Sequence, residues 1–226
     1  MNETFLHYDG LTLLNLPHAQ KLYEEVLVQD CYQRKLIPHN SIVLDVGGCF
    51  GEFGIWCEYH RACYVKIFEP SPVWKIAQLN SFLNMSRVWV VWGAIGRENG
   101  PREFHHRPDA PYGSRLSTIG QDNPCVQKEE HKVTTVDCFT LKSQIDAAKN
   151  EVGFPRPICV KLDCEGAEQE VFEDERWLDE VAIVAMEWHF KDGPRYRDAL
   201  ARHGFKVTTT DANPEAWSGN IYATKL

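Results

Sequence analysis

Ile42-Val43-Leu44-Asp45-Val46-Gly47-Gly48-Cys49-Phe50-Gly51 is the stretch that decides how this chain is read. An apolar run ends in an acid, glycines follow, and a helix is predicted from Gly51 to about residue 60. Strand, glycine turn and helix make the usual entrance to a nucleotide site in an α/β fold. The dinucleotide fingerprint G-x-G-x-x-G fails in both registers. From Gly47 it meets Cys49 and Glu52, and from Gly48 it meets Phe50 and Phe53. A carboxylate at Asp45 repels a pyrophosphate and attracts the ammonium and sulfonium of S-adenosylmethionine. Asp45, Gly47, Gly48 and Gly51 are therefore candidate cofactor residues.

A second acid stands about 20 residues on, where a doubly wound fold places a carboxylate on ribose hydroxyls. It is Glu69, at the end of Tyr64-Val65-Lys66-Ile67-Phe68-Glu69-Pro70, the predicted second strand. A carboxylate can accept hydrogen bonds from both hydroxyls of a diol. Strands are further expected over 88–92, 133–136, 158–163, 181–187, 205–209 and 220–224. Helices are expected over 17–35, from Ser71-Pro72 to Asn84 with Ser71 as N-cap, and over 139–149 and 194–203. Residues 1–16 read as a hairpin or irregular arm. Because strands and helices alternate, the first five strands should be parallel and buried. Residues 100–130, with four prolines and the basic Arg102, His105, His106, Arg107 and Arg115, break the pattern and read as an insert that forms a lid over an acceptor.

The chain has 226 residues, 43% of them apolar, which suits one α/β domain over residues 1–226 with an N-terminal arm and helix over 1–38. Its net charge of −8 supplies no basic stripe for phosphates, so no nucleic-acid partner is expected. No 18-residue apolar run is present, so no membrane span is expected. Met1-Asn2-Glu3-Thr4 lacks the basic and apolar regions of a secretory signal, and no C-x-x-C occurs among the eight cysteines. Reduced thiols and a cytoplasmic location are the expectation. The oligomeric state is left open.

Lys161-Leu162-Asp163-Cys164-Glu165-Gly166-Ala167-Glu168 is the second dense motif. Lys161 and Asp163 share one face of a strand that should be nearly all apolar, about 7 Å apart along it. Such charges must be paired or must reach an open crevice. Glu165 and Glu168 flank the start of the next helix, where the helix dipole favours anions. The fifth strand ends in Met186-Glu187-Trp188-His189 at the same sheet edge as Asp163. A carboxylate beside an imidazole can act as general base and orienter. With Asp163 the two can instead hold a divalent ion, and this oxygen-rich set suits Mg²⁺ or Mn²⁺ better than zinc.

These motifs resemble the FkbM family of S-adenosylmethionine-dependent methyltransferases. The matching pieces stand in family order. They are Leu44-Asp45-Val46-Gly47-Gly48-Cys49-Phe50-Gly51, Phe68-Glu69-Pro70-Ser71-Pro72, Leu79-Asn80 through Asn84, Thr134-Thr135-Val136-Asp137, the Lys161–Glu168 box and Glu187-Trp188-His189. One departure is Cys49, where the family usually has Asn. The resemblance implies a Rossmann-like class I methyltransferase sheet of seven strands, the last antiparallel. It implies S-adenosylmethionine held by Asp45, Gly47, Gly51 and Glu69, and an acceptor side lined by Asp163, Glu165 and Glu187. It also implies a methyl acceptor that is a hydroxyl of a sugar, glycan or small natural product. The expected activity is O-methyl transfer, with His189 as first choice of base and Asp163 or Glu187 orienting it. A metal-assisted transfer is the nearest alternative. A nicotinamide oxidoreductase and a non-catalytic S-adenosylmethionine-binding protein are the rival classes.

Overall fold

The computed structural model describes residues 4–107, 115–116, 132–210 and 217–225. The chain opens with a hairpin, β1 (Phe5–Tyr8) and β2 (Leu11–Leu14). Asp9 and Gly10, at φ 47° and 84°, close it, as a two-residue loop whose twist matches the strands requires. The single helix expected over 17–35 is instead α1 (Ala19–Tyr23), a π-helical turn Glu24–Val28 and a 3₁₀ turn Arg34–Leu36. The reason lies in Asp30 and Gln33, both at positive φ, and in the buried Arg34. The Arg34 guanidinium donates to Leu27 O at 2.8 Å and to Asp30 Oδ1 at 2.9 Å, and so folds the chain back on itself.

The remaining elements run β3 (Ile42–Val46), α2 (Glu52–His60), β4 (Tyr64–Phe68), α3 (Trp74–Leu83), β5 (Trp89–Val91), β6 (Gly93–Gly96), β7 (Gly100–His106), β8 (Arg115–Leu116), β9 (Lys132–Thr140), α4 (Leu141–Val152), β10 (Ile158–Leu162), α5 (Glu168–Val171), β11 (Ile183–His189), α6 (Gly193–Arg202), β12 (Lys206–Thr209) and β13 (Ser218–Thr224). Seven of the strands form one sheet in the order β12-β13-β11-β10-β3-β4-β5, and β13 alone runs against the rest. The expected α/β, Rossmann-like class I methyltransferase sheet, mostly parallel with an antiparallel last strand, is the observed one. Side chains alternate between its two faces. Ile42, Leu44, Val46, Val160 and Leu162 enter one buried cluster with α4 and α6. Val43, Cys159, Ile183 and Ala185 enter the other, with α2 and the N-terminal helical residues.

The strand order reverses direction between β3 and β10, so a crevice opens at their carboxyl ends, the usual ligand position in such sheets. Register places Lys161 beside Asp45 and Leu162 beside Val46. Asn80 and Asn84 tie the hairpin to this region: their side-chain oxygens accept from Leu14 N and Thr12 N, and Asn80 Nδ2 donates to Phe50 O of the glycine turn at 2.9 Å.

Residues 100–130 do not begin as a loop. β7 pairs along its length with β9, and both join β6 and β8 in a second, four-stranded sheet. The rest of the segment, apart from Arg107, Arg115 and Leu116, lies outside the described residues. No described helix is long and apolar enough to cross a membrane, and seven cysteines are free thiols among the described residues.

Candidate active site

The glycine turn is built by close approach. Gly47 has φ 73°, and a Cβ there would fall 1.7 Å from Asp163 O, so only glycine fits. Cys49 also takes positive φ (46°), and its amide donates to Glu69 Oε2 at 2.9 Å. Ser71 N donates to Glu69 Oε1 at 2.8 Å. A carboxylate has about four lone-pair sites, so Glu69 keeps accepting capacity for a ligand. Burial pushes its carboxyl up to about 7, against the pull of the Ser71 side chain and of those amides.

Asp45 lies behind the turn. It is fully buried, its Oδ2 accepts from Gly54 N at 3.1 Å, and its Oδ1 is 3.3 Å from Lys161 Nζ. It does not line the cavity described below, nor does Gly51, the left-handed residue that starts α2. The expectation that Asp45 itself draws the cofactor's cations does not fit this position. Its charge is matched by Lys161, and together they brace the turn.

Lys161 is the link between the two dense motifs. Its Nζ donates to Gly47 O at 2.7 Å, lies 3.7 Å from Asp163 Oδ2 and stands over the Tyr32 ring. Burial works against its charge, but Asp45, Asp163 and Glu52 outweigh it and hold its pKa above the ordinary value. Tyr32 donates to Asp163 Oδ2 at 2.8 Å, which fixes that carboxylate from the other side.

Asp163, Glu187 and His189 converge, with one possible ligand atom from each lying within 4.8 Å of the others. Carboxylates surround His189: Nδ1 is 3.4 Å from Glu168 Oε2, and Nε2 is 3.8 Å from Glu165 Oε2 and 3.9 Å from Glu187 Oε1. Burial opposes charge on the imidazole, yet Glu168, Glu165 and Asp163 push its pKa up to about 10. An imidazolium has no lone pair for an acceptor's proton, so the surroundings of His189 disfavour it as the base. Burial and then Asp163 push Glu187 up to about 7, which suits it better to that task.

One cavity of about 380 Å³ joins these groups. Gly47, Gly48 and Glu69 line one part, and Asp163, Glu165, Glu187 and His189 another, with Lys161 and Tyr32 also in the wall. Leu22, Glu25 and Val26 of the N-terminal helical segment contribute to it, as does Phe104 of β7. Its volume is that of a small-molecule site. The residues fit S-adenosylmethionine: bare glycine backbone, a buried carboxylate with free lone pairs at Glu69, and an orphaned carboxylate oxygen at Glu52 in the same wall. Sequence reasoning missed Tyr32, Glu52 and Phe104 as wall residues. Lys161 carried a signal, a charge within a buried strand. Of the basic residues of the expected lid, Arg102 is committed elsewhere, with its Nη1 2.8 Å from the buried Glu170 carboxylate.

The profile of the Methyltransferase FkbM domain matches residues 45–207, well over half of the chain. Methyltransferase 1 of Beauveria bassiana is 27% identical over 181 residues, covering 72% of this chain and 71% of that protein. The 31-O-demethyl-FK506 methyltransferase FkbM of Streptomyces tacrolimicus is 27% identical over 234 residues, covering 91% of this chain and 89% of its own. Among solved structures, a methyltransferase FkbM from Methylobacillus flagellatus aligns with TM-score 0.47 and 14% identity. That alignment covers 82% of this chain and 43% of the other, so the chain spans less than half of that protein.

Proposed function

The chain belongs to the FkbM methyltransferase family, and on that premise we propose that it moves a methyl group from S-adenosylmethionine to a hydroxyl of a sugar, glycan or small natural product. The observation that carries this reading is the shared cavity, which has Glu69 and bare glycine backbone in one part of its wall and an acid cluster in another. S-adenosylmethionine, when bound, supplies an electrophilic methyl on a sulfonium. Glu69 accepts the ribose hydroxyls, and Gly47 and Gly48 let the backbone approach the cofactor. Asp163, Glu165 and Glu187 bind the acceptor. The acceptor oxygen forms the new C–O bond as the C–S bond breaks and its electron pair stays on sulfur. The hydroxyl proton passes to a carboxylate, and Glu187 is the base we assign, with Asp163 fixed beside it by Tyr32 and Lys161. Holding oxygen and methyl in line is the larger share of the work.

The Streptomyces relative's name specifies an O-demethylated natural product, which supports oxygen as the acceptor atom here. The net charge of −8 and the acids around the acceptor favour a small neutral molecule over a nucleic acid. A second reading has a divalent ion, Mg²⁺ or Mn²⁺, on Asp163, Glu187 and His189. It is favoured by their convergence within 4.8 Å, and such an ion would replace the imidazole proton and polarise the hydroxyl. The test is transfer of labelled methyl from S-adenosylmethionine across a panel of hydroxylated sugars, glycans and natural products. Label recovered as a methyl ether supports the reading. Label recovered only on nitrogen, on carbon or on RNA contradicts it.

A further inference from the structure

Glu52 is a buried acid of the cavity wall with no task so far. It opens α2 directly after the glycine turn, lines the cavity and is 4% exposed. Its Oε2 has no hydrogen-bond partner among the described residues. A buried carboxylate oxygen without a donor is unfavourable, and charge makes it more so. The charged and titratable groups acting on it are Lys161, Asp45 and Asp163, and it acts in turn on Tyr23 and Cys49. Lys161 is the cation of this set, and its ammonium is engaged by Gly47 O and by the two aspartates. Burial pushes the Glu52 carboxyl up to about 8.

A ligand that brings both a hydrogen-bond donor and a positive charge completes this position and favours the ionised carboxylate. The ribose hydroxyls of S-adenosylmethionine are assigned to Glu69. Its sulfonium has charge but no N–H, and its adenine amine has N–H but no charge. Its α-ammonium has both. We propose that Glu52 is a cofactor-binding residue that recognises the α-ammonium of the amino-acid portion, an inference that rests on the S-adenosylmethionine reading above. The product S-adenosylhomocysteine keeps this ammonium and is recognised equally, whereas a nucleoside without the amino-acid portion is not.

The test is calorimetric binding to the full chain and to Glu52→Gln. Three ligands are compared: S-adenosylhomocysteine, its analogue lacking only the amine, and 5′-methylthioadenosine, which lacks the whole amino-acid portion. The wild type should prefer S-adenosylhomocysteine over the deamino analogue by about tenfold or more, the size of a charge-assisted hydrogen bond. Glu52→Gln should lose most of that preference and bind 5′-methylthioadenosine as the wild type does. A melting temperature at or above wild type, measured alongside, shows that the variant folds. An undiminished preference in Glu52→Gln overturns the inference, and so does an equal loss for all three ligands. A wild type that binds none of the three overturns the cofactor reading itself.

Discussion

Glu187 and His189 stand two residues apart in the sequence and meet opposite fates. The motif Glu187-Trp188-His189 made the imidazole the natural base, because nothing in the sequence placed Glu165 and Glu168 against the same ring. Three carboxylates within 4 Å hold the His189 pKa well above its ordinary value, which favours Glu187 as the proposed base. Glu187→Gln should therefore lower kcat by about 10²–10⁴, the range for a lost general base, and wild-type activity should survive EDTA. If EDTA abolishes turnover and Mg²⁺ or Mn²⁺ restores it, the three residues are metal ligands and the base assignment fails. Asp45 teaches a related lesson. An acid at a strand end is legible as important, but the sequence could not show that Lys161 across the register and Gly54 N would take it from the cavity.

The central strands of the main sheet were legible because a buried parallel strand is a largely apolar run. The second sheet was not. β7 reads Gly100-Pro101-Arg102-Glu103-Phe104-His105-His106, a polar segment with a proline, which argues against a strand. Pro101 is tolerated because β8 pairs only with Phe104 and His105, leaving that part of β7 without a described neighbour on its outer side. Arg102, grouped by sequence with a basic lid, instead pairs in a buried site with Glu170, which also accepts from Arg97 N on the segment after β6. Arg102→Ala should thus destabilise the protein by roughly 3–5 kcal/mol, the usual penalty for orphaning a buried charge. Chemical denaturation checks this. A stability within about 0.5 kcal/mol of wild type would show instead that Arg102 has no structural role. The helix expected over 17–35 failed for a different reason: the turn around Arg34 is a tertiary effect, invisible to apolar spacing.

Across the whole molecule the strongest pH signature comes from three glutamates of the cavity wall and from His189. Folded Glu69 and Glu187, at about 7, and Glu52, at about 8, keep protons that an unfolded glutamate, with its ordinary value of 4.5, has lost. His189, raised to about 10 from 6.5, keeps its proton likewise. The folded state therefore binds more protons than the unfolded one between about pH 4.5 and 10, and stability falls as pH rises through that window. The melting temperature of the ligand-free protein should drop steadily from pH 6 to 9, and Glu52→Gln should flatten the part below pH 8. A melting temperature that rises over this range contradicts the burial of these groups.

The central claim is that this molecule binds S-adenosylmethionine with its ribose on Glu69 and the acid cluster toward the acceptor. Calorimetric titration of wild type and Glu69→Ala with S-adenosylmethionine, S-adenosylhomocysteine and NAD tests it most directly. The account predicts one site for each adenosyl ligand, no tight NAD binding, and a weakening of roughly tenfold or more in Glu69→Ala from loss of a charge-assisted pair of hydrogen bonds. Tight binding of NAD with no response to either adenosyl ligand would contradict it.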